Sequence, residues 1–336
     1  MKLLTITVPC YNSQDYMEKC VNSLLAGGER VEIIIIDDGS KDNTGAIADR
    51  LVAEHPNIVR VVHQENGGHG EGINQGLRHA TGKYFKTVDS DDWVGDCYLD
   101  FLDTLEKCDK EGGVDLFITN YYYEHADGKG NQSINYSNAL PSGKVFEWKD
   151  TKSFQMKQLL TIHSCTFRTD LMKQYARDLP KKVFYEDNLM VYQMLPHVEK
   201  MYYMNADLYR YYIGRAGQSV QEDVMIGRYN HQLIVAQRCF EACHLDDIKD
   251  EKQKKYLDHE LFMMFGIGVL FSRLNGSEEA EKNVEAMWDA CRAFDQKWAD
   301  YYRYKSLLRF IGIKGSFGRG IVQFVYKLAH RFVRFN

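Results

Sequence analysis

Short apolar segments alternate with longer amphipathic segments through the first 120 residues of the chain. Five short runs rich in β-branched or aromatic residues lie at 3–8, 32–36, 59–63, 84–88 and 115–120. The intervening segments at 15–25 and 43–52 carry apolar side chains at helical spacing. Strands separated by helices predict βαβ units, in which helices cover both faces of a mostly parallel sheet. We therefore predict a Rossmann-like α/β domain.

The last third of the chain has a different pattern, with apolar residues every three or four positions. Three such segments cover residues 231–243, 253–274 and 280–301. All five prolines lie at or before Pro196, so no proline interrupts a helix in the last 140 residues. We predict an α/β domain over about 1–220, with halves of about 1–110 and 111–220, and a helical extension over 221–336.

Composition excludes several classes of protein. Hydrophobic residues make up 44% and charged residues 26%, which is the balance of a globular chain and not of a disordered or fibrous one. No uncharged apolar run reaches the ~20 residues that span a bilayer, which argues against an integral membrane protein. The eight cysteines lack the spacing of a disulfide framework or a zinc site, and no apolar leader opens the chain. We therefore expect a reduced, cytoplasmic protein.

Charge is unevenly distributed along the chain. The net charge is −5, but residues 301–336 contain eight Lys or Arg and no acid, so this end carries +8 and the rest carries −13. Net positive charge is confined to this end and the rest of the chain is acidic, which argues against nucleic acid as a partner. Within that end, residues 321–335 place apolar side chains on one side of a helix and basic side chains on the other. Such a helix either lies in a membrane interface or packs on the protein.

Polar, acidic and glycine residues follow each of the first four predicted strands. These segments are Pro9-Cys10-Tyr11-Asn12, Asp37-Asp38-Gly39-Ser40, Glu65-Asn66-Gly67-Gly68-His69-Gly70 and Asp89-Ser90-Asp91-Asp92. In open parallel sheets, ligands bind beyond the carboxyl ends of the strands. The sequence therefore predicts the functional site at this edge of the sheet.

Two carboxylates, Asp89 and Asp91, lie two residues apart at the end of the fourth strand. Acids this close repel each other unless a cation lies between them, and Mn²⁺ or Mg²⁺ takes one or two carboxylates together with phosphate oxygens. The structural alternative is a turn in which Asp92 caps a helix that begins near Trp93. Asp37 and the residues after it have the same alternative, since Asp-Gly also suits an ordinary turn.

A glycine-rich stretch, Gly67-Gly68-His69-Gly70-Glu71-Gly72, follows the third strand. Its glycines lack the spacing of a dinucleotide-binding loop, because the position that would need a third glycine is Gln75. A hydride-transfer enzyme is therefore not expected. We interpret the stretch as a loop that needs close backbone approach, followed by a helix over about 73–80.

Taken in order, the four strand-end motifs resemble those of the family 2 glycosyltransferases of GT-A fold. The resemblance continues in Tyr185-Glu186-Asp187 and in residues 209–220, so it covers roughly the first 220 residues. It implies a metal-dependent, inverting hexosyl- or N-acetylhexosaminyltransferase of the bacterial surface-polysaccharide type. The implied donor is a nucleotide-diphospho-sugar, with UDP-sugar expected, and the implied acceptor is a hydroxyl of a saccharide or lipid-linked saccharide. The implied cofactor is Mn²⁺ or Mg²⁺.

The resemblance also assigns roles to individual residues. The donor-binding set that it implies is Pro9, Tyr11, Asn12, Asp38, Asn66, Gly67, Asp89, Arg215 and Ser219. Within this set, Pro9 and Tyr11 would flank the base and Asp38 would accept a hydrogen bond from it. Asp91 is implied as the principal metal ligand, with Asp89 beside it. Asp187 is implied as the general base, with Glu186 as its rival.

The expected chemistry requires the same residue types. Departure of a diphosphate leaves negative charge that a divalent cation and an arginine stabilise, and the acceptor hydroxyl needs a carboxylate to take its proton. A structural alternative exists for Glu186 and Asp187, since acids favour helix N-termini. His163 lies in a segment, 161–165, that we predict to be a strand. It is either a core histidine or a contact of the acceptor or the metal.

Two other functions are compatible with parts of this pattern. A sugar nucleotidyltransferase would share the fold, but it should carry a glycine-rich, lysine-containing loop after the first strand, and the segment 8–12 has neither residue type. A non-catalytic nucleotide-sugar or carbohydrate-binding protein would not need the full acidic set. For the transferase, the basic end at 303–336 predicts a peripheral enzyme on the inner face of the cell membrane.

Overall fold

The computed structural model describes residues 1–156, 158–214 and 221–313, together with Gly320, Val322 and Tyr326. The chain divides into two compact units, Met1–Gly214 and Arg215–Asn336. Two of the predicted donor-binding residues, Arg215 and Ser219, lie outside the described residues. So does the predicted amphipathic helix over 321–335, apart from two positions.

A ten-stranded sheet forms the centre of the first unit. Its strands are β1 (Leu4–Cys10), β2 (Val31–Asp37), β3 (Val59–His63), β4 (Tyr84–Thr87), β5 (Trp93–Val94), β6 (Leu116–His125), β7 (Gln132–Ile134), β8 (Val145–Phe146), β9 (Cys165–Arg168) and β10 (Met201–Ile213). The main order is β3-β2-β1-β4-β9-β6-β10-β5, with β7 beside β6 and β8 beside β10. The pairs among β3, β2, β1 and β4 are parallel, as is β6 with β10, whereas β9 runs antiparallel to both its neighbours. The predicted α/β fold with a mostly parallel sheet is confirmed.

Six helices accompany the sheet in the described part of the first unit. They are α1 (Met17–Leu25), α2 (Thr44–Glu54), α3 (His69–His79), α4 (Tyr98–Lys110), α5 (Thr169–Tyr175) and α6 (Glu186–Met194). All seven residues of β2 are buried, as expected of a strand covered on both faces. The predicted helices at 15–25 and 43–52 are confirmed with small shifts at their ends.

Helix α3 begins four residues earlier than predicted, at His69. Its glycines explain the difference, because α3 packs directly on β1. A Cβ added to Gly72 would lie 2.9 Å from the Cβ of Pro9, and one added to Gly76 would lie 2.1 Å from Thr7 Oγ1. Glycine lowers helix propensity, but here tertiary packing outweighs that preference.

Two local predictions are wrong. Residues 93–94 form strand β5 instead of the start of a helix, and α4 begins only at Tyr98. His163 lies in a turn before β9 and not in a strand, since the N–H groups of Ser164 and Cys165 both donate to the carbonyl oxygen of Thr161. Residues 93–94 pair with β10, and His163 lies just before β9. Contacts with distant strands therefore decide the conformation of both segments.

The second unit is helical in its described residues. Its helices are α7 (Glu222–Gly227), α8 (Tyr229–Phe240), α9 (Glu251–Asn275), α10 (Glu278–Phe294), α11 (Gln296–Asp300) and α12 (Leu308–Ile311), with a π-helical turn over Tyr301–Lys305. Both long helices begin at a side-chain cap, Asp250 for α9 and Ser277 for α10. Among the described residues, no helix is long and apolar enough to cross a membrane.

Candidate active site

Hydrogen bonds join the loops that follow β1 and β2. The Asn12 side-chain oxygen accepts from the backbone N–H of Lys41 (2.8 Å), and the Asn12 N–H donates to Ser40 Oγ (3.1 Å). Asn12 has a left-handed backbone with φ of 50°, which asparagine adopts more readily than most residues. Tyr11 beside it is 51% exposed, so its ring is accessible to a ligand at this edge.

The carboxylate of Asp38 holds the loop that follows β3. One of its oxygens accepts from the Gly67 N–H (2.7 Å) and the Gln64 side chain (2.6 Å), and the other accepts from the Gly68 N–H (2.8 Å). The Asn66 side chain donates to the Asp38 carbonyl oxygen (3.1 Å). Two of the predicted donor-binding segments therefore form one hydrogen-bonded unit.

The acidic turn after β4 holds three carboxylates in different surroundings. Asp89 and Asp91 are partly exposed, whereas Asp92 is buried. Asp92 accepts hydrogen bonds from the Tyr209 hydroxyl (2.6 Å) and the Tyr212 N–H (2.8 Å). Burial, followed by the negative charges of Asp91 and Asp89, raises the pKa of Asp92 well above its usual value. Asp92 is therefore not the helix cap of the structural alternative, and it ties β10 to this turn.

His163 packs among aromatic rings next to the acidic turn. Its ring stacks on Tyr211 at 4.5 Å and meets Tyr209 edge-on at 4.7 Å between centroids. Nδ1 lies 3.3 Å from Thr161 Oγ1, and Nε2 lies 3.9 Å from Asp89 Oδ2. Burial lowers the pKa of His163 to about 4, although the charge of Asp89 opposes this. The ring is therefore neutral near pH 7.

Asp89, Asp92 and His163 form a candidate site for a divalent cation. One ligand atom from each lies within 4.8 Å of the other two. Carboxylate oxygens suit Mg²⁺ and Mn²⁺, and a neutral imidazole is a common additional metal ligand. Asp91, the ligand implied by the sequence, lies on the same turn but is not a member of this cluster. The acidic turn and His163 together therefore offer the types of ligand atom that a divalent cation requires.

The second acidic pair begins α6. Tyr185, directly before it, has a left-handed backbone with φ of 69°, which is uncommon for tyrosine. Glu186 is buried and Asp187 is partly exposed. Burial and then the negative charge of Glu186 raise the pKa of Asp187 to about 7, against the opposing charge of His69. A carboxyl group that titrates near neutrality is suited to general-base catalysis.

His69, the first residue of α3, links the two acidic groups. Its Nε2 lies 2.8 Å from Asp89 Oδ1, and its Nδ1 lies 2.8 Å from Glu186 Oε1. Burial opposes the charged ring, but the two carboxylates outweigh it and raise the pKa of His69 well above its usual value. The sequence did not assign this residue a role, because its partners lie 20 and 117 positions away.

Lys86 is a second residue that the sequence analysis missed. It lies on β4 and is 1% exposed, and its Nζ donates to the carbonyl oxygens of His163 (2.8 Å) and Cys165 (3.3 Å). Burial lowers the pKa of Lys86 to about 8. The sequence did contain a signal for this residue, because lysine is almost never fully buried without a partner and Lys86 lies within one of the short apolar segments that predict strands.

Comparison with known proteins identifies the family. Residues 5–184, more than half of the chain, match the family described as "Glycosyl transferase family 2". The chain belongs to glycosyltransferase family 2. The family predicted from the four strand-end motifs is thereby confirmed.

Individual relatives support the assignment. Glycosyltransferase GlyA of Streptococcus pneumoniae is 29% identical over 243 residues, which cover 69% of this chain but only 33% of GlyA. The crystal structure of S. aureus TarS 1-349 in complex with UDP superposes with a TM-score of 0.68 over 98% of this chain and 92% of that one, at 18% identity. TarS 1-349 has also been solved with UDP-GlcNAc.

A second structural neighbour is the mannosyltransferase PcManGT from Pyrobaculum calidifontis, in complex with GDP-Man and Mn²⁺. It superposes with a TM-score of 0.54 at 14% identity, over 90% of this chain and 84% of that one. At these identities the likeness shows the fold alone. The fold of this family 2 glycosyltransferase is thus GT-A with a C-terminal helical region, as predicted.

Proposed function

We propose that this glycosyltransferase catalyses an inverting, metal-dependent transfer of a sugar from a UDP-sugar to a hydroxyl of a saccharide or lipid-linked saccharide. The observation that carries the proposal is the position of Asp187 at the start of α6. Its neighbour Glu186 and the acidic turn residue Asp89 are hydrogen-bonded to the same side chain, His69. Direct displacement at a sugar carbon needs a base for the acceptor and stabilisation for the leaving diphosphate.

The donor side of the proposal rests on the loops after β1, β2 and β3. TarS shares this fold and binds UDP and UDP-GlcNAc, which supports a UDP-sugar. Tyr11 has an exposed ring to flank the base, with Pro9 on the other side. A carboxylate has about four lone-pair positions, and the loop uses three of those on Asp38. In this proposal the fourth position accepts an N–H of the base.

The metal side of the proposal rests on the turn after β4. PcManGT, which shares the fold, was solved with Mn²⁺. We propose that Asp91 and Asp89 hold Mn²⁺ or Mg²⁺, with Asp89 common to this pair and to the cluster that includes Asp92 and His163. A bound divalent cation supplies positive charge for the leaving diphosphate.

The base is Asp187 in this proposal. Glu186 is buried and its Oε1 is engaged by His69, whereas Asp187 is partly exposed and its pKa is raised to about 7. Asp187 takes the proton of the acceptor hydroxyl as the oxygen attacks the anomeric carbon. Attack from the side opposite to the diphosphate inverts that centre without a covalent enzyme intermediate.

A donor screen tests the function directly. The full chain is incubated with Mn²⁺ and each common UDP-sugar, including UDP-N-acetylglucosamine, and released UDP is measured with and without candidate saccharide acceptors. Release that depends on one UDP-sugar and on Mn²⁺ supports the proposal. Binding of UDP without turnover of any sugar nucleotide would favour the binding-protein alternative. Pyrophosphate release from UTP and a sugar 1-phosphate would favour the nucleotidyltransferase.

We further propose that the enzyme works at the inner face of the cell membrane on a lipid-linked acceptor. Five exposed apolar or aromatic side chains recur at every third position in the described part of the basic end: Tyr301, Tyr304, Leu307, Phe310 and Ile313. Lys305 and Arg309, exposed beside them, add positive charge. Apolar and basic side chains on one exposed segment are typical of interfacial binding.

A further inference from the structure

The side chain of His69 contacts two acidic groups that come from distant parts of the chain. Asp89 follows β4 and belongs to the proposed metal and donor site, and Glu186 begins α6 next to the proposed base. Both ring nitrogens lie 2.8 Å from a carboxylate oxygen, so one imidazole makes a hydrogen bond in each direction. The ring hydrogen-bonds Oε1 of Glu186, which is buried and only 1% exposed.

The glycines on either side of His69 allow the start of α3 to pack closely on the segment that leads into α6. A Cβ added to Gly68 would lie 2.9 Å from the backbone nitrogen of Lys182, and Gly68 also has a left-handed backbone (φ 88°). A Cβ added to Gly70 would lie 2.8 Å from Glu186 Cγ. The Lys182 N–H donates to the Gly67 carbonyl oxygen at 2.8 Å. The start of α3 and the segment that leads into α6 are therefore built to lie against each other.

We propose that His69 is a positioning residue of the transfer reaction, which fixes the start of α6 against the acidic turn after β4 by hydrogen-bonding Glu186 and Asp89 at once. The inference deepens the proposed function, because it takes Asp187 as the base. His69 touches neither sugar nor acceptor in this scheme. It acts through Glu186, which precedes Asp187 in the same helical turn.

The physical consequence of losing His69 is specific. Glu186 would keep its buried position without the partner that offsets its charge, and a buried charge without a partner is strongly unfavourable. The start of α6 would then move to hydrate the carboxylate, and Asp187 would move with it. Because a misplacement of about 1 Å costs about 100-fold in rate, the loss should appear in kcat. Binding of UDP should change less than kcat, because the proposed contacts with the base come from Pro9, Tyr11 and Asp38.

Chemical rescue of His69→Ala tests the bridge. The full chain and the variant are assayed for UDP release from the UDP-sugar identified in the screen, and UDP affinity is measured by calorimetry. We expect kcat to fall about 100-fold and UDP affinity to change much less. Imidazole, whose protonated form donates from both nitrogens, should restore kcat, whereas 1-methylimidazole, which has one nitrogen blocked, should not. His79→Ala is the matched control, because His79 is an exposed histidine at the other end of the same helix.

A second measurement does not depend on turnover. Hydrogen–deuterium exchange should increase in His69→Ala over residues 182–188 and stay unchanged in α10, which lies in the other unit. If His69→Ala does not fold, His69→Gln is used for both measurements, since only its amide nitrogen donates and its amide oxygen cannot replace the second ring N–H.

Several results would overturn the inference. These are an unchanged kcat, equal rescue by both heterocycles, rescue by neither, or unchanged exchange at the start of α6. Failure of the proposed function looks different, because the unmodified chain would then release no UDP from any donor. In that case the exchange measurement alone decides whether His69 holds the two segments together.

Discussion

At the scale of single residues, the two acids at the start of α6 differ in their surroundings and therefore in their expected roles. Asp187→Asn should keep UDP binding but lower transfer by at least ~100-fold, the usual contribution of a positioned general base. Calorimetry with UDP and the UDP-release assay separate the two effects. Retained transfer in Asp187→Asn together with loss in Glu186→Gln would assign the base to Glu186 instead.

The raised pKa of Asp187 predicts a pH dependence. A general base must be ionised, so kcat/KM should increase with pH and level off above about 7, the value that burial and the charge of Glu186 give Asp187. The measurement is kcat/KM for the UDP-sugar in buffers of constant ionic strength across neutral pH. A profile that is flat through neutrality would contradict the assignment.

The acidic turn after β4 predicts a metal requirement. EDTA should abolish turnover and added Mn²⁺ or Mg²⁺ should restore it, since the leaving diphosphate needs positive charge. Asp91→Asn should nearly abolish transfer and weaken Mn²⁺ binding, which can be followed by electron paramagnetic resonance. Asp96→Asn, an exposed acid shortly after the turn, is the matched control. Unchanged turnover in EDTA would show that the metal assignment is wrong.

At the scale of secondary-structure elements, α3 shows how packing overrides local preference. The sequence predicted a loop through the glycines, but Gly70 and Gly72 lie in the first turn of the helix, where they allow close approach to the segment before α6 and to β1. The general expectation of close backbone approach was correct. The segments that approach could not be predicted, because they are far away in the sequence.

Helix α9 contains a buried acid that predicts how stability changes with pH. Glu260 is 1% exposed, one of its oxygens has no hydrogen-bond partner among the described residues, and burial raises its pKa to about 8. The unfolded chain ionises this group near its usual value, whereas the folded chain keeps it protonated up to about pH 8. This contribution to the free energy of unfolding therefore decreases as pH rises between those two values.

Glu260→Gln removes that penalty. The variant should unfold at a higher temperature than the unmodified chain, and the difference should be larger at pH 8 than at pH 5. Thermal unfolding followed by circular dichroism gives both values. Glu251→Gln, at the exposed start of the same helix, should show no such increase with pH. An equal difference at both pH values would contradict a protonated, buried Glu260.

At the scale of the whole molecule, the separation of charge predicts where the enzyme acts. Each Lys or Arg near an anionic leaflet contributes about 1 kcal/mol of attraction, and the exposed apolar side chains at 304–313 add to this. The full chain should therefore sediment with anionic liposomes at low salt, and a chain with Leu307→Ser and Phe310→Ser should sediment much less. Neutral liposomes are the control. Equal sedimentation of both chains, or of neither, would contradict the membrane proposal and leave the catalytic assignment unchanged.

The sequence by itself determined the family, the fold class and the edge of the sheet that carries the site. This was possible because strand and helix periods are local, and because the ends of parallel strands place their following residues at one edge. Asp38 and Asp89 were predicted to lie at that edge, and Asp187 was predicted from the resemblance to the family.

Tertiary structure alone decided which partners these acids have. Asp38 holds the loop after β3, Asp92 ties β10 to the acidic turn, and the neutral ring of His163 faces Asp89. The bridge through His69 joins residues separated by 20 and 117 positions. Such contacts depend on burial and on distances between distant segments, and no local pattern in the sequence encodes them.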